Sequence, residues 1–253
     1  MEFFDTHAHY NDEKFKNDRE EIIKHIYNNG VTKMVCVGYD LNKSKKAIEI
    51  AEKYDYMYAT VGISPNDIID FNDENLKQIE ELAKNSKVVA IGEIGLDYYW
   101  NKDNKNEQKQ LFIKQIEIAN RLNKPIVIHT RDAFIDTIAI LKDYPVIKKG
   151  IFHCCPLNQE LIKEGLKLGF YISFSGNITF KNAKSEGPVS LVPMDRILIE
   201  TDSPYLTPEP FRGTRNDSSK VKFVAEKIAE IKKISIEVVS KKTYENALRV
   251  YEI

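Results

Sequence analysis

The chain has 253 residues, with 37 Lys and Arg against 38 Asp and Glu and 42% hydrophobic residues. That length is close to the roughly 250 residues of one α/β barrel, and the composition excludes both a disordered chain and a small scaffold held by disulfides. A net charge of -1 excludes a broad basic face for gripping duplex DNA, because that mode needs many cations against phosphates, while a ligand held at one local site stays open.

The chain opens Met1-Glu2-Phe3-Phe4-Asp5, without a basic stretch followed by an apolar one, and no later apolar run approaches the roughly 18 residues that span a bilayer. A soluble, cytoplasmic protein with no membrane partner is the expectation. Cys36, Cys154 and Cys155 are odd in number and two are adjacent, which suits a reducing compartment and offers no CxxC pair for a structural metal.

Along the chain, short runs rich in Val, Ile and aromatic residues alternate with longer stretches of helical periodicity. The first run is Phe3-Phe4 leading into Asp5. Then come 33–37, 57–62, 88–92, 125–128, 150–152, 170–174 and 196–199. Between them lie helix-like segments such as 18–29, ending at Gly30, and 106–122, with Leu111, Ile113, Ile116, Ile118 and Ala119 at helical spacing. This alternation implies βαβ units, and about eight of them predict a single-domain α/β protein, a (β/α)8 TIM barrel over 1–253. A doubly wound open sheet is the alternative, but Asp5-Thr6-His7-Ala8-His9 stands where its Gly-rich phosphate loop belongs. The stretch from 202 to about 219, interrupted by Pro204, Pro208, Pro210 and Gly213, reads as one long functional loop.

Four of the five histidines, His7, His9, His129 and His153, directly follow these runs. In a barrel the C-terminal ends of all the parallel strands meet on one face, so these imidazoles are expected to converge. His7 and His9 are one residue apart and project to the same side of an extended backbone. Glu93 and Asp202 also follow apolar runs, and a buried ionised carboxylate costs several kcal/mol unless it is paired or binds metal. Six such groups exceed one tetrahedral shell. Two divalent cations, Mg, Mn or Zn, are therefore expected, with Glu93 bridging, His7, His9 and Asp202 on one ion, and His129 and His153 on the other. His25, inside a charged helix, reads as a surface residue.

The blocks Asp5-Thr6-His7-Ala8-His9, Gly92-Glu93-Ile94-Gly95-Leu96-Asp97-Tyr98-Tyr99, Ile128-His129-Thr130-Arg131, Phe152-His153-Cys154, Glu200-Thr201-Asp202-Ser203-Pro204-Tyr205-Leu206 and Arg212-Gly213-Thr214-Arg215-Asn216 occur in this order over most of the chain. Together they resemble the TatD family of metal-dependent deoxyribonucleases, within the amidohydrolase-like barrels. The resemblance implies divalent cations at the matched positions and cleavage of phosphodiester bonds, commonly from the 3′ end of DNA, with single-stranded or frayed ends as substrate. Two departures stand out. Ser64, in Gly62-Ile63-Ser64-Pro65, occupies the place of the family's usual histidine, and Cys154-Cys155-Pro156-Leu157 replaces its Cys-Phe-Ser-Gly.

Water made nucleophilic between two cations needs no protein nucleophile, so Glu93 and Asp202 are the catalytic candidates, Asp202 as ligand or as the group that takes the water's proton. Ser64, Arg131 and Arg215 are candidate phosphate contacts, against the alternative of surface ion pairs for the two arginines. Tyr98, Tyr99 and Trp100 either stack on bases or pack beneath the loop, and Asp5 and Asp97 either orient imidazoles or cap backbone. The same centre could cleave an ester, such as the one joining an amino acid to tRNA, and a non-catalytic scaffold is a third reading.

Overall fold

Each apolar run is a strand in the computed structural model, which describes residues 1–253 apart from the side chain of Asp70. In chain order β1 is Phe3–Ala8, β2 Val31–Val37, β3 Met57–Val61, β4 Val88–Asp97, β5 Ile126–Arg131, β6 Gly150–Phe152, β7 Tyr171–Phe174 and β8 Ile197–Ile199. Helix α1 (Arg19–Asn28) follows β1, and α2 (Leu41–Ala51), α3 (Asp73–Leu82), α4 (Lys105–Arg121), α5 (Phe134–Asp143), α6 (Gln159–Lys167) and α7 (Glu186–Leu191) follow the next six strands in turn. After β8 come α8 (Val221–Lys232) and α9 (Ile236–Tyr251). Neighbouring strands pair in parallel in sequential order, β1 to β8. This is a single-domain (β/α)8 barrel, and the sequential order excludes the doubly wound sheet.

The strands are mostly apolar because helices cover one face and the barrel interior the other, and in β4 all ten residues are buried. Phe4, Val35, Val127, Ile151 and Leu198 pack together inside, with Val250 and Tyr251 of α9 against them. A larger cluster joins the outer strand faces to the helices, for example Met34, Ile126 and Phe152 with Ile23, Leu111 and Leu161. Helix ends follow local chemistry. Gly30, at φ 95, takes the left-handed turn that stops α1, and Asp40 caps α2 by accepting the Lys43 N–H at 2.6 Å.

Besides β1, which runs on past Phe4 to Ala8 and takes in His7, two further strands outrun their apolar signal. β4 continues past 88–92 to Asp97 and β5 past 125–128 to Arg131, so Glu93 and His129 lie within strands rather than just after them. Gly95 makes this pairing possible. It sits opposite His129 at φ 141, where a Cβ would stand 2.0 Å from the His129 carbonyl oxygen.

Among the described residues β1 and β8 form no ladder, and the segment after β8 closes the barrel instead. Ala8 bridges Ser203, the Asp202 N–H donates to the His7 carbonyl at 2.9 Å, and the His9 N–H donates to the Ser203 carbonyl at 2.7 Å. Asp5 ties the same seam, accepting the Thr201 N–H at 3.0 Å and the Thr201 hydroxyl at 2.5 Å. Of the two roles open to it, Asp5 thus fills the backbone one. Burial pushes its carboxyl up to about 7 despite those hydrogen bonds. No helix among the described residues is long and apolar enough to cross a membrane.

Candidate metal centre

The strand ends bring all six expected donors to one place, with Glu93 at the middle. Its Oε1 lies 2.9 Å from His129 Nδ1 and 3.2 Å from His153 Nε2, and its Oε2 lies 3.4 Å from His7 Nε2 and 3.7 Å from His9 Nε2. Within each pair the imidazole nitrogens face one another, at 3.2 Å for His7 and His9 and 3.3 Å for His129 and His153. Asp202 Oδ1 joins the first pair, 3.3 Å from His9 Nε2 and 3.6 Å from His7 Nε2.

These spacings fit a ligand shell. Donors placed tetrahedrally at about 2.0–2.1 Å from a cation stand roughly 3.3 Å apart. Two ring nitrogens facing at this distance can share at most one proton between them, whereas a cation satisfies both lone pairs. Imidazole and carboxylate donors without a thiolate suit Zn or Mn, and carboxylates with water suit Mg. Cys154 borders the cavity but its Sγ pairs with Ser175 Oγ at 3.1 Å, and Cys36 is buried away from the cluster.

Behind the donors stands a supporting layer that fixes their tautomers. His129 Nε2 faces Asp97 Oδ2 at 2.9 Å, which turns Nδ1 toward Glu93. His9 Nδ1 donates to the Val37 carbonyl at 3.2 Å. His153 Nδ1 faces Glu200 Oε1 at 3.4 Å, and the same oxygen accepts the Cys154 N–H at 2.6 Å. His7 and His153 stack, with ring centroids 3.9 Å apart and an interplanar angle of 8°. Glu200 groups with them as a further possible set of donors, a role the sequence reading missed. The signal was present: Glu200 ends the same apolar run as Asp202, two residues earlier.

Electrostatically the carboxylates are held ionised. Burial works to raise Glu93, but the imidazoles of His153, His129 and His7 outweigh it and hold the carboxyl well below the ordinary range. Asp202 is lowered against its burial by His9 and His7, and Asp97 falls to about 2 against its burial through His129 and backbone N–H groups. His153 is driven well above its usual value by Glu93 and Glu200 despite burial, whereas burial and the neighbouring His153 lower His7.

A cavity of about 890 Å³ opens over the cluster, bordered by His9, Glu93, His129, His153 and Asp202 and by Trp100, Arg131, Asn177 and Tyr205. Arg131 therefore reaches the site. Arg215 does not border it. Its guanidinium binds Asp18 through two hydrogen bonds, 2.9 and 2.5 Å, and the Lys14 carbonyl at 2.7 Å, the surface ion pair that was the alternative reading. Ser64 is also drawn aside. Its hydroxyl donates to Asp67 at 2.6 Å and accepts the Asn66 N–H at 3.1 Å, capping the turn after β3, and it is Asn66 that borders the cavity. Tyr98 is buried with its hydroxyl on Asp136 at 2.7 Å, so of the three aromatic residues it is the packing one. His25 is exposed on α1.

Such a barrel, with histidines and carboxylates gathered at its strand ends, has the architecture of a metal-dependent hydrolase. The family model described as TatD related DNase matches residues 4–252, and the chain belongs to that family. It is 48% identical over 252 residues to the uncharacterized metal-dependent hydrolase YabD of Bacillus subtilis, covering 99% of both chains. With the uncharacterized metal-dependent hydrolase YcfH of Escherichia coli it shares 36% identity over 261 residues, covering 100% of this chain and 97% of that one. The fold matches Escherichia coli YJJV, a TatD homolog, with a TM-score of 0.94 at 24% identity over 99% of this chain and 98% of that one.

Proposed function

We propose that this metal-dependent hydrolase is a deoxyribonuclease that shortens single-stranded or frayed DNA from the 3′ end. The observation that carries the reading is the division of Glu93, each of whose oxygens faces a separate pair of imidazoles beneath an open cavity. With Glu93 shared, His7, His9 and Asp202 would hold one divalent cation and His129 and His153 a second.

When bound, paired divalent cations lower the pKa of water and neutralise charge building on phosphoryl oxygens. Glu93 holds its charge between the two histidine pairs. Asp202, at the cavity wall and kept ionised by His9 and His7, is placed to take the proton of attacking water. Arg131 supplies a guanidinium for a phosphate at the rim. The net charge of -1 suits a substrate gripped at one end rather than along a duplex.

The test is nucleotide release from 3′-labelled and 5′-labelled single-stranded DNA by purified protein with Mg, Mn, Zn or EDTA, beside Glu93→Gln. Metal-dependent shortening from the 3′ end, lost in EDTA and in the variant, is the expected result. Metal-loaded protein that leaves DNA intact but releases amino acid from aminoacyl-tRNA would overturn it in favour of ester hydrolysis.

A further inference from the structure

Trp100 is the one tryptophan in the chain, and it is 67% exposed while bordering the same cavity as Glu93 and His129. Its ring offers a broad aromatic face at the cavity rim, a surface on which a base can stack. It is also held in place. Its backbone N–H and that of Tyr99 donate to Asp97 Oδ1 at 3.0 and 2.9 Å, and the Tyr99 ring meets it edge-on with centroids 4.8 Å apart. The Arg131 guanidinium lies 3.7 Å from the Tyr99 centroid and 5.4 Å from that of Trp100. Among the described residues no carboxylate pairs with Arg131, which leaves its charge available.

From this arrangement we infer that Trp100, backed by Tyr99 and Arg131, is a stacking platform for the terminal nucleobase of a single-stranded DNA end whose phosphate lies at Glu93. The inference rests on the nuclease reading and adds how the strand is held. An aromatic face accepts any base, so the platform confers strand-end binding without sequence preference. Arg131 adds attraction for the adjoining phosphate, and the Asp97 tether means little ordering is required on binding. The neighbouring cavity of about 820 Å³, across Thr130 and Pro156, is bordered by Asp132 and Asp136 and by no Lys or Arg. Arg131 lines the tryptophan-side cavity, whereas Asp136 in the neighbouring one is already paired with Lys109 at 2.7 Å.

Because Trp100 is the sole tryptophan beside 13 tyrosines, fluorescence excited at the red edge, where tyrosine does not absorb, reports the platform. The metal-loaded enzyme is titrated with octathymidylate whose 3′-terminal linkage is a phosphorothioate, and with the same strand lacking its 3′-terminal base. Quenching by the first and not by the second is expected. In steady-state cleavage, Trp100→Ala should raise KM for the base-bearing strand about tenfold, within the range that base stacking supports, leave KM for the abasic end unchanged, and be largely rescued by Trp100→Phe. Equal KM changes on both strands would overturn the platform while leaving the nuclease reading intact. Wild-type enzyme that neither binds nor shortens either strand would overturn both.

Discussion

Asp97 holds two things at once: its Oδ2 lies 2.9 Å from His129 Nε2, while its Oδ1 accepts the N–H groups of Tyr99 and Trp100. One carboxylate thus sets the tautomer of a proposed metal ligand and the position of the aromatic rim. Replacing it with Asn keeps the shape but removes the charge that His129 faces. Asp97→Asn should weaken metal binding by roughly 10–100-fold at the His129 and His153 shell. Metal content after dialysis against graded chelator measures this, and a variant retaining as much metal as wild type would show that Asp97 serves the rim alone.

A second prediction concerns Gly95. A methyl group there would meet the His129 carbonyl at 2.0 Å on a backbone that L side chains seldom adopt. Gly95→Ala should therefore destabilise the fold by about 3 kcal/mol or more, combining overpacking with an unfavourable φ. Gly213, at φ 85 with nothing within 4 Å, provides the comparison, and its alanine variant should cost only about 1 kcal/mol. Thermal unfolding of the two variants separates steric from conformational cost. Equal losses would mean that β4 and β5 can move apart.

The two arginines should behave differently. Arg131→Ala should raise KM for DNA several-fold, while Arg215→Ala should leave kcat and KM nearly unchanged and act on stability. Arg215 holds the Asp18 carboxyl below its ordinary range, and both groups are about a third exposed, so screening keeps the pair near or below about 1 kcal/mol. Because the folded pKa is lowered, that contribution is present above the ordinary carboxylate range and lost as pH falls through the lowered value. The stability difference between Arg215→Ala and wild type should therefore shrink in acid. A difference that widens there would refute the assignment.

Removal of metal should be visible in the fold itself. Without cations, four imidazoles and two carboxylates crowd a buried site, and a ligand present at a thousand times its Kd stabilises the native state by about 4 kcal/mol. Melting in EDTA should fall several degrees and recover on adding back Mn or Zn. Unchanged melting would indicate that the cluster is satisfied by its own hydrogen bonds.

The barrel and the convergence of the six candidate donors were legible because both depend on local pattern. Eight apolar runs define strands, and parallel topology carries His7, His9, Glu93, His129, His153 and Asp202 to one end. What escaped depended on which partner each polar side chain takes in three dimensions, whether near in sequence, as for Ser64 and Asp67, or far, as for Arg215 and Asp18. Nothing near Arg215 in the sequence indicates that Asp18 will claim it across almost the whole chain, or that Asp67 will draw the Ser64 hydroxyl away from the cavity. Glu200 was passed over because, two residues before Asp202, it looked like part of the strand. Its value as a support appears only once His153 arrives from β6. The extension of β4 was equally hidden, since it includes a glycine and two acids, Gly95, Glu93 and Asp97, which local preference assigns to a loop.

The seam that closes the barrel also sets when the enzyme can become active during synthesis. His7 and His9 are synthesised well before Asp202, and they meet it only when the segment after β8 bonds to β1. A growing chain that lacks that segment has neither a closed barrel nor the third member of the first donor set. A chain cut short before Asp202 lacks both the segment that closes the barrel and one donor beside His9, so on the proposed reading the nuclease centre is assembled only after that segment is made.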